Sequence, residues 1–168
     1  MAVWVIVRAL DALDALPLRN RLDLMETLGI RGRELDRWDE VSRRMYVPFH
    51  ASPSTGPSPG GMVISQFEGY ADLEELDWHG LRERYGNIQR LDRILDADND
   101  SVNRYKASKQ ADALMLFYLL SADELREVFA RMGYRFTPVQ IPQTVDYYVH
   151  RTSHGSTLSG VVHAWVLA

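Results

Sequence analysis

Residues 146–168 read DYYVHRTSHGSTLSGVVHAWVLA. Leu158, Val161, Val162, Trp165 and Leu167 recur at helical spacing and form a broad apolar face, predicting a helix over 156–168. The polar run before it, Thr152-Ser153-His154-Gly155-Ser156-Thr157, opens that helix. A helix N-terminus presents unpaired N–H groups and a partial positive charge, which together favour an anion. Gly155 allows close backbone approach, Ser156 and Thr157 supply hydroxyl donors, and His154 can add another. Two readings stand for these residues: a serine N-cap behind a turn, the commoner use of serine at such a place, and an anion site.

Working outward, the same grammar recurs along the chain. Thr137-Pro138 opens a predicted helix with Val139, Ile141, Val145 and Tyr148 apolar. Ser121, followed three residues later by Glu124, is a capping-box pattern that predicts a helix over 122–131, ended by Gly133. Lys106 to Leu120 reads as one helix with a nearly all-apolar body. Asp100 or Ser101 is placed to cap a short helix, and Asp77 to lead one over 78–85. Leu35, Trp38, Val41 and Met45 predict a helix over 33–46, and Val3, Ile6, Val7, Leu10, Leu13 and Leu16 predict another that Pro17 ends. Met62 to Phe67 reads as a short extended piece.

Two regions depart from this pattern. Residues 47–61 are rich in Pro, Gly and Ser and are expected to form a flexible surface loop without regular structure. The first turn, Ala2 to Ile6, is apolar on every side and has no capping residue before it. Such a turn is expected to be buried all round, so the start reads as cut from a longer chain.

Composition narrows the class. The chain of 168 residues is 46% hydrophobic and 10% aromatic, the profile of one globular domain rather than a disordered segment. Nineteen basic against 23 acidic residues give a net charge of −4, which disfavours a nucleic-acid partner. The absence of cysteine removes disulfide and thiolate chemistry and fits a cytoplasmic location. No apolar run approaches the roughly 20 residues that span a bilayer, so no membrane partner is expected.

Three polar stretches exceed what a plain helical domain needs. Besides the one at 152–159, Lys109 and Gln110 stand at the head of an apolar segment. A lysine there either reaches solvent or binds something in a pocket. Gln66-Phe67-Glu68-Gly69-Tyr70 is the third stretch; Glu68 is read as either a pocket carboxylate or a surface ion-pair partner. The five histidines show no metal-binding motif, and neither a metal site nor a cofactor is expected.

Taken together, GMVISQFEGY, YKASKQADALMLFYLL and the quoted 146–168 stretch resemble, in order and approximate spacing, the late part of the catalytic domain of glycoside hydrolase family 65. That family contains trehalose, maltose and kojibiose phosphorylases and related glucoside hydrolases. The resemblance implies an all-α chain supplying the last helical hairpins of an (α/α)6 barrel. It implies inverting chemistry on an α-linked glucose disaccharide, with inorganic phosphate or an activated water as the attacking group. By the same resemblance Lys109 and Gln110 hold glucose hydroxyls, and His154, Gly155, Ser156 and Thr157 hold phosphate. Gln66 and Glu68 are placed at the pocket.

The departures weigh as much as the matches. The family's catalytic glutamate lies in a Gly-Pro-Asp-Glu-Tyr type motif, which these residues do not contain, so no catalytic residue is assigned. Ser65 and Val149 stand where relatives often carry glutamates, and an apolar Val149 cannot act as a general base. This favours phosphorolysis over hydrolysis. The expectation is a fragment of a disaccharide phosphorylase or hydrolase, inactive alone, whose partners are the rest of the barrel or a second copy. The alternative is a non-catalytic helical module that binds another protein through its apolar edges.

Overall fold

The computed structural model describes residues 1–52 and 61–168. Residues 53–60, the heart of the Pro/Gly/Ser-rich stretch, lie outside the described residues. The architecture is mostly helical, with a single two-stranded sheet among the described residues. It divides into two compact units, Met1–Tyr46 with Asp123–Phe136, and Val47–Ala122 with Thr137–Ala168.

The first unit holds α1 (Ala2–Ala15), α2 (Leu18–Leu28), α3 (Gly32–Arg44) and α7 (Ala122–Arg131). Val3 and Val7 of α1 meet Val128 of α7 in a small apolar cluster that Trp4, Met45 and Met132 complete. Polar bonds ring that cluster. Trp4 Nε1 donates to Glu124 at 3.2 Å, and Arg8 makes a two-pronged contact with Glu127 at 3.0 Å on each oxygen. Arg131 donates through Nε to Ser42 Oγ at 2.8 Å and also reaches Asp39.

Two findings here differ from the sequence reading. The first turn of α1 is not buried all round: Val5 is 56% exposed, because the apolar contacts of this turn lie on the Val3–Val7 side. The helix α2 was not foreseen. Leu18, Leu22 and Leu28 of α2 are all exposed, and Gly29, at φ 68°, ends it with a left-handed cap.

The second unit is organised around the hairpin of β1 (Phe49–Ala51) and β2 (Met62–Ile64), antiparallel with His50 opposite Val63. Phe49–Ala51 therefore corrects the expectation that 47–61 forms no regular structure. Its N–H and C=O groups find partners in β2, the segment read as extended.

The free edge of β2 is covered by α8 (Gln140–Val149). Gln140 Nε2 donates to the Met62 carbonyl at 3.2 Å. The Ile64 N–H donates to Thr144 Oγ1 at 3.4 Å, and the Tyr148 hydroxyl donates to the Ile64 carbonyl at 2.8 Å. Residues at i, i+4 and i+8 share one helix face, so a single stripe of α8 satisfies the strand edge. All three side chains are buried. Tyr70, Tyr147 and His50 pack beside them, the His50 ring standing edge-on to Tyr147 at 4.8 Å.

The remaining helices of this unit are α4 (Trp78–Tyr85), α5 (Leu91–Ala97), α6 (Asp112–Leu119) and α9 (Thr157–Leu167). Asp77 caps α4 through the Gly80 N–H at 2.9 Å, and Ser101 caps a 3-10 turn at Val102–Arg104, both as read. Leu76, Leu91 and Leu95 form a second apolar cluster with Trp78, Leu81 and Val102 around it. The helices α6, α8 and α9 pack on one another. No helix among the described residues is long and apolar enough to cross a membrane.

Two outcomes test the hairpin–helix contact. Tyr148→Phe leaves the buried Ile64 carbonyl without its donor and is expected to lower the unfolding free energy by about 1–3 kcal/mol in urea titration. His50 is held down to about 4 from its ordinary 6.5, first by burial and then by the Lys106 and Arg151 charges. The folded state therefore resists protonation that the unfolded chain accepts. Stability should be intact above pH 6.5 and decline as pH falls from 6.5 towards 4, and His50→Gln should flatten that slope.

Candidate functional site

The three polar stretches singled out by sequence lie in the second unit, and backbone pairing joins two of them directly. The Ser108 N–H donates to the Arg151 carbonyl at 3.0 Å, and the Ser153 N–H donates to the Ser108 carbonyl at 2.9 Å, a parallel bridge of Ser108 with Thr152. Just upstream, the Lys106 N–H donates to the Glu74 carbonyl at 2.8 Å. These bonds correct the reading of Lys106–Leu120 as one helix. The Ser108 carbonyl, which a helix through this segment would pair with the Asp112 N–H, is committed to Ser153, so α6 begins only at Asp112. Lys109 and Gln110 stand in the bend that leads into α6, not on it.

The third stretch meets the same place through Gln66, whose amide oxygen accepts from the Ala113 N–H at 3.1 Å. Ala111, the N-cap of α6, makes no side-chain cap, and Gln66 takes that part from 47 residues away. Glu68 is exposed to solvent. Gln110 is half-buried.

An ion-pair group braces the junction. Arg151 donates to both oxygens of Glu75, at 3.1 and 3.3 Å, and its guanidinium lies 3.9 Å over the Tyr147 ring. Lys106 Nζ reaches the same carboxylate at 3.4 Å, with only 16% of its side chain exposed. One acidic group thus holds a cation from each of the two bridged strands.

Lys109 extends from this junction with its head in solvent and within 2.9 Å of Asp92 Oδ2 on α5. The Lys109 hydrogen bond is the main reason the Asp92 carboxyl is held down to about 2. The lysine stem crosses Gly155. A Cβ added at Gly155 would lie 3.2 Å from Lys109 Cγ, 3.4 Å from its Cδ and 3.0 Å from the Gln89 carbonyl oxygen. A side chain at 155 would therefore make the Lys109 stem or the Gln89 carbonyl give way by a few tenths of an ångström, since the lysine that sequence assigns to one motif lies on the backbone of the other.

Past Gly155, Ser156 is the N-cap of α9, its Oγ accepting from the Ser159 N–H at 3.3 Å. The cap reading of Ser156 is thus realised, and Thr157 follows it, exposed, as the first residue of the helix. His154 adopts a left-handed backbone, φ 52°, unusual for a residue with a Cβ. Its Nδ1 lies 3.2 Å from Ser159 Oγ, which ties the turn back onto the helix it opens. Behind it stands His163, buried, with ring centroids 4.5 Å apart and planes nearly perpendicular. Burial, and then the His154 charge, lower the His163 pKa. Neither nitrogen of His163 has a partner among the described residues.

Sequence reasoning missed Asp92 and Gln89. Leu91, Ile94 and Leu95 carry helical spacing in α5, but nothing local marks Asp92 as the partner of a lysine 17 residues on.

The chain matches the glycosyl hydrolase family 65 central catalytic domain along residues 1–168. It is 67% identical over 168 residues to an uncharacterized glycosyl hydrolase of Mycobacterium tuberculosis, covering 100% of this chain and 12% of that protein. It is 36% identical over 161 residues to the trehalose 6-phosphate phosphorylase of Lactococcus lactis, covering 93% of this chain and 20% of the relative. The kojibiose phosphorylase of Halothermothrix orenii is 27% identical over 168 residues, with 98% of this chain and 18% of the relative covered. The chain thus spans a fifth or less of the length of these curated relatives. No solved structure matches it.

Crowding at residue 155 is directly testable. Gly155→Ala is expected to displace Lys109 or the Gln89 backbone and to cost about 1–3 kcal/mol in thermal or urea unfolding. Gly32→Ala, where a Cβ meets nothing within 4 Å, is the control and should be neutral or mildly stabilising.

Proposed function

The chain belongs to glycosyl hydrolase family 65, and from that premise we propose that it supplies the sugar- and phosphate-contacting part of an inverting phosphorylase acting on an α-linked glucose disaccharide. The observation that carries this reading is the Ser108–Thr152 bridge, with the Lys109 stem lying against Gly155. A group that holds glucose and a group that holds the attacking anion must be neighbours, because the anion attacks the anomeric carbon of that same glucose.

The roles follow from donor chemistry. Lys109 keeps two N–H donors beyond the one directed at Asp92, and these, with the Gln110 amide, suit glucose hydroxyls. The Gln66 oxygen is used by Ala113, which leaves its NH2 as the group for a ligand, and the exposed Glu68 is assigned to the rim of the pocket. His154, Gly155, Ser156 and Thr157 line the start of α9, where N–H groups, hydroxyls and the helix dipole favour phosphate. Phosphate oxygen attacks the anomeric carbon from the face opposite the leaving group. The glycosidic C–O bond breaks, the leaving oxygen takes a proton from a general acid, and β-glucose 1-phosphate results. That acid is not assigned to any of the 168 residues.

Phosphorolysis is favoured over hydrolysis by Val149, which cannot accept a proton, and by likeness to phosphorylases. Phosphate brings its own nucleophilic oxygen and needs no protein base. The substrate class is a glucose disaccharide such as trehalose, maltose or trehalose 6-phosphate, the last being what the Lactococcus relative is named for. The helices would then be part of the family's (α/α)6 barrel.

A second reading rests on a separate observation. Leu158, Val161 and Trp165 on α9 and Leu18, Leu22 and Leu28 on α2 are more than half exposed. Faces of this kind suit docking to further polypeptide, whether the rest of the barrel, a second copy or another protein.

The purified 168-residue protein, incubated with trehalose, trehalose 6-phosphate, maltose and kojibiose with and without phosphate, is expected to bind phosphate and glucose and to form no product. Losing a general acid costs roughly 10²–10⁴ in rate, so release of β-glucose 1-phosphate at ordinary enzyme rates would overturn the missing-acid assignment. Folded protein binding neither ligand, with self-association by sedimentation, would favour the docking module.

A further inference from the structure

Asp92 stands outside every motif that carries the family likeness, yet it is the residue that receives Lys109. Its Oδ2 lies 2.9 Å from Lys109 Nζ, and Arg90 Nε lies 3.5 Å from its other oxygen. The same lysine is confined along its stem. Gly155 approaches its Cγ and Cδ so closely that a methyl group would crowd them, and that methyl would also meet the Gln89 carbonyl. Gln89 and Asp92 belong to one short piece of chain at the start of α5, so a single segment meets both the Gly155 turn and the lysine head.

Stability does not account for this arrangement. The Lys109 and Asp92 side chains are 56% and 31% exposed, and ion pairs in such settings contribute little to folding. What the pair does achieve is restriction. A free lysine samples many rotamers, and holding its head at one point removes an ordering cost from any ligand that later uses its remaining donors.

We propose that Asp92 is a positioning residue, which holds the Lys109 ammonium at the edge of the Gly155 turn with two N–H groups directed to a glucose hydroxyl pair. The inference rests on the function proposed above, since it presumes that Lys109 meets sugar. It predicts effects of opposite kind on the two ligands. Removing the Asp92 charge frees the lysine and weakens sugar binding, while taking a negative charge away from the neighbourhood of α9 does nothing to repel phosphate.

The test uses the 168-residue protein, with glucose and inorganic phosphate titrated separately and followed by NMR. Asp92→Asn should bind glucose about tenfold more weakly and phosphate no less tightly, with an unchanged melting temperature. Asp92→Glu, which restores the charge, should recover part of the glucose affinity. Independently, the Asp92 carboxyl carbon should titrate near 2 in the unaltered protein and return towards 3.8 in Lys109→Met, which checks the pair without any ligand. Equal glucose affinity in Asp92→Asn and unaltered protein overturns the proposal and leaves the functional reading standing. Unaltered protein that binds phosphate but not glucose overturns the assignment of Lys109 to sugar, and this role of Asp92 with it. Binding of neither ligand overturns the functional reading itself, and the carboxyl titration then reports whether the ion pair exists without that purpose.

Discussion

The contact on which the second unit depends is the line of three α8 side chains along the open edge of β2. A two-stranded sheet is marginal by itself, and its free edge carries unpaired N–H and C=O groups. Gln140, Thr144 and Tyr148 satisfy the Met62 carbonyl and both backbone groups of Ile64 from inside the core. An apolar helix face could have buried the strand equally well but would have left those groups unpaired, at a penalty comparable to a lost hydrogen bond for each. The polar stripe therefore sets the register of α8 on β2. It also decides where α8 ends, and with it where residues 150–155 emerge.

From that end point the site follows by short steps. Thr152 Oγ1 bonds back to the Tyr148 carbonyl at 2.8 Å, and Arg151 bonds to the Tyr147 carbonyl, so the strand leaving α8 is tied to its last turn. That strand meets Ser108, and the Glu75 carboxylate binds Arg151 and Lys106 on either side of the bridge. Two cations beside one carboxylate would repel each other without it, so Glu75 is integral to the junction. Just past the bridge, the Lys109 stem lies against Gly155. The glycine accommodates the lysine stem, and the turn containing His154 is held by its bond to Ser159.

The chemistry read from the motifs is compatible with this frame and is shaped by its departures. Ser65, in place of a carboxylate, accepts a role in the core, its hydroxyl 2.5 Å from His50 Nδ1. Val149 ends α8 without a titratable group. Of the acidic side chains near the junction, Asp92 and Glu75 are each engaged with cations, while Glu68 is exposed to solvent.

What was legible in the sequence is what local chemistry determines. Asp77 and Ser156 cap their helices as read, because a cap involves only residues within one turn; α7 spans the residues that its capping-box pattern marked, and α1, α3 and α9 follow from apolar spacing along their own lengths. The three polar stretches of the second unit were likewise visible as runs that a helical core does not need. The tertiary structure decided what depends on distant partners. Phe49–Ala51 is a strand because β2 pairs with it, and Lys106–Ser108 stays out of α6 because its backbone bonds to Glu74 and Arg151, 32 and 43 residues away. Gln66 caps a helix 47 residues distant, and Asp92 meets Lys109 only once α5 lies beside the bridge. Spacing within one segment reports the face a residue occupies, but the partner of a backbone group or a charge is chosen by chain segments that only the folded molecule brings together.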